Sequence, residues 1–338
     1  MAQTFSTLRG LILGLALILG AAIASPAMAQ SGFNPTQRAV NEDQLMKALK
    51  PDGTISGRVT IPNQSAGTLI QPEGKEWRDY RRETLPRIGA IAILGMLVVL
   101  CLFYAIRGKV RVAAGMSGKT IVRFNGFERF THWLTASSFV ILGLSGLNVT
   151  FGRSLLLPLL GHQTFTPFSA FLKFLHNYIG FAFMVGIVLM FVMWVRENIP
   201  NGTDVTWVKE GGGILSKDKH PAAGKFNGGQ KILFWAVIVG GVLLSLSGLH
   251  LLFPNRVDGG VIEIQFQSEI HGIVAMLMIA MILAHIYIGT LGMEGAFDAM
   301  GTGSVDLNWA KEHHSLWVDE VQKGGHGLPA AAKVAPAE

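Results

Sequence analysis

Five stretches of the chain are apolar for long enough, or nearly so, to cross a bilayer: 86–106, 128–150, 172–195, 231–253 and 269–292. A hydrocarbon core of about 30 Å takes about 20 helical residues, so each stretch predicts one transmembrane helix. A shorter apolar run, Leu11–Ile23, follows Arg9 and ends in Ser25-Pro26-Ala27-Met28-Ala29. That combination of basic start, short apolar centre and small-residue cleavage site predicts a secretory signal peptide over 1–29, with an uncleaved signal anchor as the alternative. The mature chain would then begin at Gln30. Between leader and first span, residues 30–85 are polar and turn-rich, with Pro51-Asp52-Gly53, Pro62-Asn63 and the charged run Trp77–Arg82, and predict an extramembrane segment.

The charges between the spans add a direction. Segment 107–127 carries Arg107, Lys109, Arg111, Lys119 and Arg123, and segment 196–231 carries Arg196, Lys209, Lys217, Lys219, Lys225 and Lys231. The opposite connections, 151–171 and 254–268, carry only Arg153 and Arg256. Basic loops stay on the cytoplasmic side, so the mature N-terminus is expected in the periplasm and the tail 296–338 in the cytoplasm of a bacterial inner membrane. Composition agrees: 50% of the 338 residues are hydrophobic and 15% charged, and the mean hydropathy is +0.41. The net charge of +6 sits between apolar runs with no basic stripe interleaved with aromatics, which excludes nucleic acid as a partner. One cysteine, Cys101, can build neither a disulfide framework nor an iron–sulfur site, so a metal here is held by nitrogen.

The nitrogen comes from histidine. Of ten histidines, His132, His176, His250, His271 and His285 fall in or at the edges of spans, where an ionisable side chain is costly and marks function, or packs as a hydrogen-bonded structural residue. His271 and His285 share the last span, about 21 Å apart along its axis and rotated by about 40°. The topology places His271 near the outside and His285 near the inside. His132 opens a span at the inner surface and His176 opens one at the outer surface, so depth pairs His132 with His285 and His176 with His271. Two bis-histidine haems stacked across a helix bundle fit that pattern. Gly143, Gly146, Gly180, Gly186, Gly248 and Gly272 would let a porphyrin approach the backbone. His250 has no partner at its depth and is read as interfacial. His162, His220, His313, His314 and His326 are read as solvated, and Met276, Met278 and Met281 as gap-filling.

At these residues the chain resembles the cytochrome b (gamma) subunit of membrane-bound formate dehydrogenases, across roughly Lys119 to Trp317. The resembling stretches are Arg123–Trp133, Phe174–Gly180, Asn198-Ile199-Pro200, Lys225–Lys231, the pair His271 and His285, and Trp309–His314 with Trp317. The resemblance implies an all-α integral membrane protein: a dihaem cytochrome b bundle of four spans over 119–295, to which this chain adds the span at 86–106. It implies a haem b near the periplasm on His176 and His271 and another near the cytoplasm on His132 and His285, with quinone as substrate beside the latter. Partners implied are an iron–sulfur (beta) subunit and a molybdenum- or tungsten-containing (alpha) subunit that oxidises formate, so no catalytic residue for formate is expected here. The resemblance does not extend to the leader, to 30–85 or to the first span, and it weakens in the tail at Ser315 and Leu316.

The expected role is electron transport in anaerobic or formate-dependent respiration, from a periplasmic partner to quinone near the cytoplasmic face. Asn227, Gly229 and Gln230, just before the fourth span, and His285 come to that face and could bind a quinone head group. Asn227 and Gln230 could equally cap the helix that follows. The rival within the class is a cytochrome b of a hydrogenase or thiosulfate reductase. A rival of another class is a haem-free membrane anchor or transporter using the histidines as a proton relay, disfavoured because no Asp or Glu accompanies them at mid-membrane.

Overall fold

The computed structural model describes residues 74–213, 220–256 and 259–324 in full, and the backbone of 334–336. The expected leader at 1–29, residues 30–73 and His326 lie outside the described residues. Among the described residues five helices are long and apolar enough to span a membrane, and each extends beyond its apolar run. They are α1 (Gly74–Arg107, with a π turn at Tyr80–Thr84), α2 (Gly126–Leu155), α3 (Leu157–Trp194), α5 (Gly228–Leu252) and α6 (Gly260–Tyr287, continued by a π turn at Ile288–Gly292). A short helix, α4 (Gly202–Lys209), precedes α5.

The segments 151–171 and 254–268, expected as loops, are largely helical. Leu156 alone separates α2 from α3, and Gly161, at φ 69°, breaks the first turn of α3. Beyond the break at Gly161, the run 162–194 of α3 is about 50 Å long, more than the about 30 Å of a hydrocarbon core. Hydropathy shows where a helix meets lipid and is silent about polar turns that continue it into water. For the same reason α1 starts at Gly74 rather than at 86.

Three helix starts share one device. Asn125, Asn201 and Asn227 cap α2, α4 and α5, and the side chains of Glu128, Asp204 and Gln230 return the bond to the capping residue's own N–H. These capping boxes satisfy amide donors that a helix start leaves orphaned. Within the bundle α2 packs on α3, α3 on α5, α5 on α6 and α1 along α6. Small residues set the spacing: a Cβ at Gly240 would lie 2.6 Å from Sδ of Met278, and one at Gly89 would lie 2.7 Å from Sδ of Met276. Close backbone approach replaces the hydrophobic drive that lipid cannot supply. Outward-facing α1 residues such as Ile91 and Ile106 are 75% and 86% exposed, as lipid-facing positions should be.

One end of the bundle carries a small layer that an all-α expectation does not contain. After α6 the chain forms α7 (Asp298–Gly301), β2 (Ser304–Asp306), α8 (Leu307–His313) and α9 (Ser315–Gln322). Strand β1 (Lys119–Val122) lies between β2 and β3 (Val334–Pro336), antiparallel to both, with Ile121 opposite Val305 and Val334. Ile121, Val305, Trp309, Ala310, Trp317 and Val318 are buried in this layer. The tail is therefore a folded cap over the start of α2.

Candidate functional site

His132 lies in the second turn of α2 and His285 in the last turn of α6, both at the capped end of the bundle. Their ring centroids are 6.2 Å apart with planes at 65°. Along α3 and α6, away from the cap, His176 and His271 stand 6.1 Å apart at 64°. Four helical positions far apart in sequence thus make two nearly identical pairs at two levels.

Two imidazoles bound end-on to one metal at about 2 Å place their centroids roughly 6 Å apart, which is the spacing of both pairs. Among the described residues no cluster of three or more His, Cys, Asp or Glu stands ready to hold a metal. Each pair offers two protein ligands only. That donor set suits a metal that brings its own equatorial nitrogens, as haem does, and does not suit structural zinc, which takes four.

The surroundings sort the glycines. Gly146 and Gly248 lie against the ligand rings: a Cβ there would be 3.5 Å from Cε1 of His176 and 3.3 Å from Cε1 of His271. Gly186 instead packs on Thr135 and Gly272 on Leu85, so these two serve helix contact. Gly180 and Gly143 have no side chain closer than ordinary contact. Beside each of the first two glycines stands a serine that the histidine pattern missed. Oγ of Ser145 is 2.8 Å from Nδ1 of His176, and Oγ of Ser247 is 3.0 Å from Nδ1 of His271. One helical turn before His176, Lys173 joins Asn148, Arg153 and Ser169 around a cavity of about 390 Å³.

The residues expected at the quinone region are occupied as a helix cap. Oδ1 of Asn227 accepts from the N–H of Gln230 at 2.9 Å, and Oε1 of Gln230 accepts from the N–H of Asn227 at 3.1 Å and from Arg123 at 3.3 Å. The amide NH2 groups of both side chains make no hydrogen bond among the described residues. Gly229 lies under the ring of Trp207, which a Cβ would meet at 2.7 Å. His250, expected at the interface, has its Nδ1 enclosed without a partner among the described residues.

At the cap the solvated reading of His313 and His314 is overturned. His314 is 1% exposed, with Nδ1 2.7 Å from the carbonyl of Gly224, and His313 is largely buried beside Glu312. The tail that holds them folds back on β1, so residues that look like loop are interior. His162 is exposed, and His220 is about a third exposed against Glu312. Arg123, also buried, lies over the rings of Phe124, Trp309 and Trp317 and donates to the carbonyl of Lys225. Burial lowers Arg123 toward about 9, while Glu128 supports its charge.

Burial, then His220 and Arg123, lower His313 to about 4, and burial with Arg123 holds His314 well below the ordinary imidazole range. An unfolded tail therefore takes up protons first. The docked tail is fully stable above about pH 6.5 and loses stability as pH falls toward about 4. Hydrogen exchange at the Leu316 amide, which donates to the carbonyl of Ala223, is expected to speed up from about pH 7 to about pH 5 beyond the intrinsic pH dependence. Protection that stays constant over that range after correction would contradict the assignment.

A family model described as prokaryotic cytochrome b561 matches residues 123–303. The chain is 34% identical over 206 residues to the cytochrome b556(fdo) subunit of formate dehydrogenase from Escherichia coli (strain K12), covering 60% of this chain and 94% of that protein. It is 32% identical over 215 residues to the cytochrome b556(Fdn) subunit of the nitrate-inducible formate dehydrogenase of the same organism, covering 61% and 93%. It is 28% identical over 206 residues to the formate dehydrogenase cytochrome b556 subunit of Haemophilus influenzae, covering 59% and 83%. All four paired histidines lie inside the family match, and α1 lies ahead of it.

Proposed function

Since the chain belongs to the prokaryotic cytochrome b561 family, among the cytochrome b subunits of formate dehydrogenase, we propose that it carries electrons across the membrane from an iron–sulfur partner subunit to quinone. The observation that carries this reading is the pair of histidine pairs, alike in spacing and set at two levels of one bundle. Haem b, when bound, supplies one-electron chemistry. His176 and His271 would hold one such group and His132 and His285 the other. Gly146 and Gly248 leave room beside the rings, and Arg153 and Lys173 offer positive charge to propionate carboxylates.

The orientation rests on the loop charges. The capped end, with Lys225, Lys231 and the basic segment after α1, faces the cytoplasm, and the His176–His271 end faces the periplasm, where the iron–sulfur partner and the molybdenum- or tungsten-containing subunit that oxidises formate would dock. Charge moved inward, with quinone drawing protons from the cytoplasm, stores about 2.3 kcal/mol per charge for each 100 mV. The names of the relatives favour formate over hydrogen or thiosulfate as the source of electrons.

Haem extracted from the purified chain and counted against protein, together with a reduced-minus-oxidised spectrum, tests this directly. Two b-type haems per chain are expected, both reducible by formate in the assembled complex. None would return the chain to the anchor or transporter class.

Quinone is proposed beside Asn227, Gln230 and His285, with the free NH2 groups of the two amides as donors to its carbonyl oxygens. Serine is as good an N-cap as asparagine but has no NH2. Asn227→Ser is thus expected to keep assembly and both haems while formate-driven quinone reduction falls roughly tenfold, the worth of one or two lost hydrogen bonds. Quinone reduction at the wild-type rate would leave Asn227 as a cap alone.

A further inference from the structure

Ser145 and Ser247 are fully buried, and each hydroxyl meets one histidine and two carbonyls of its own helix, the second carbonyl being that of Leu142 at 3.1 Å for Ser145 and of Leu244 at 3.3 Å for Ser247. Oγ of Ser145 lies 2.7 Å from the carbonyl of Ile141 and 2.8 Å from Nδ1 of His176. Oγ of Ser247 lies 2.6 Å from the carbonyl of Leu243 and 3.0 Å from Nδ1 of His271. A hydroxyl has one proton, and a backbone carbonyl can only accept. With the proton given to the carbonyl one turn back, the serine oxygen is left to accept, so Nδ1 of each histidine must carry the ring proton. Both rings are then Nδ1–H tautomers, and Nε2 is the bare nitrogen that can ligate a metal.

The device occurs twice in the chain in the same words. Leu144-Ser145-Gly146-Leu147 in α2 serves His176 on α3, and Leu246-Ser247-Gly248-Leu249 in α5 serves His271 on α6. In each, Nδ1 is taken by the serine together with the backbone carbonyl three residues before it, that of Leu142 for His176 and of Leu244 for His271, and the following glycine admits the ring edge. The other pair is built differently, for Nδ1 of His132 is buried with no partner among the described residues. An imidazole that donates its second N–H is a more basic ligand, and a more basic ligand favours the oxidised metal.

We propose that Ser145 and Ser247 are positioning residues that fix the tautomer of both ligands at the His176–His271 centre and hold that centre at a lower reduction potential than the His132–His285 centre. The inference rests on the ligand assignment under the proposed function. It gives electron flow a downhill direction written into the fold, from the serine-held level to the capped end.

Potentiometric titration of the whole complex, followed optically, tests it with Ser145→Ala, Ser247→Ala, the double variant and the matching threonine variants. Threonine keeps the hydroxyl and can likewise bond the carbonyl one turn back in a helix. In the alanine chains the lower-potential component is expected to rise, by roughly tenfold in its reduction equilibrium for the double variant, which is about 59 mV for one electron. The higher-potential component should stay in place and threonine should restore the first. If alanine instead releases one haem, retention with wild-type potential in the threonine chains supports the proposal, and threonine behaving as alanine overturns it. A double alanine variant with two haems and both potentials unchanged overturns it as well. His176→Ala run alongside separates the causes: if that chain still holds two haems the ligand assignment has failed and the inference falls with it, whereas if it loses one while the serine variants titrate as wild type, only the role of the serines is wrong.

Discussion

His271→Ala is expected to lower the haem content from two per chain to one, and His176→Ala to remove the same one. His132→Ala and His285→Ala should remove the other. The expectation follows from two pairs of facing rings at 6.1 and 6.2 Å. Because a pair acts as a unit, effects within it should not add. The double variant His176→Ala with His271→Ala should keep one haem, as each single does, while His271→Ala with His285→Ala, both on α6, should keep none. Alanine is the best helix former, so α6 survives the changes as a helix. Pyridine haemochrome counts and difference spectra of the four singles and two doubles give the pairing outright. Equal spectra from His271→Ala and His285→Ala would break it.

The second large effect is expected at the capped end of the bundle. Glu128 opens α2 with its side chain 7% exposed and holds the N–H of Asn125 at 2.8 Å, Nε1 of Trp194 at 3.1 Å and Nζ of Lys225 at 2.8 Å. The carboxylate joins the helix cap, the end of α3 and the segment before α5. Replacing Lys225 by methionine takes from the buried carboxylate the cation it is hydrogen-bonded to, leaving Arg123 as its coulombic partner, and also frees Glu197, 3.3 Å from Lys225. Breaking such a buried pair costs about 3–5 kcal/mol, or on the order of 10 °C in unfolding midpoint for a chain of this size. Adding Glu128→Gln should recover much of that loss, because the buried charge goes with it. The exposed pair Lys75 and Asp79, at 76% and 44% exposure, provides the contrast, since Lys75→Met should change stability by about 0–1 kcal/mol. Thermal unfolding in detergent decides, and a Lys225→Met shift no larger than that of Lys75→Met would show the buried pair to be dispensable.

The positions of the spans and of the four histidines were legible in the sequence because both depend on solvent alone. A bilayer core has no water to satisfy a backbone or a stray imidazole, so apolar runs of helical length and the rare histidines inside them stand out without any knowledge of contacts. Direction of travel along the chain then gave each histidine a depth, and two histidines at one depth on different helices can be neighbours. The Leu-Ser-Gly-Leu repeat was equally present in the letters, but nothing in a serine's own chemistry says which side chain it faces.

The spans, the candidate ligands and their levels therefore lie in the linear pattern of residues. Contacts in the folded chain supply the rest: that α2, α3 and α6 extend beyond their apolar runs, that the tail pairs with β1 in a cap where His314 is buried, and that Ser145 and Ser247 reach Nδ1 of His176 and His271. They also give the carbonyl oxygens of Asn227 and Gln230 to a helix cap. One cause underlies all of these. Partition between lipid and water is a property of a local stretch of chain, whereas the partner of a hydroxyl, an amide or a buried imidazole is set by which distant backbone packs within 3 Å of it.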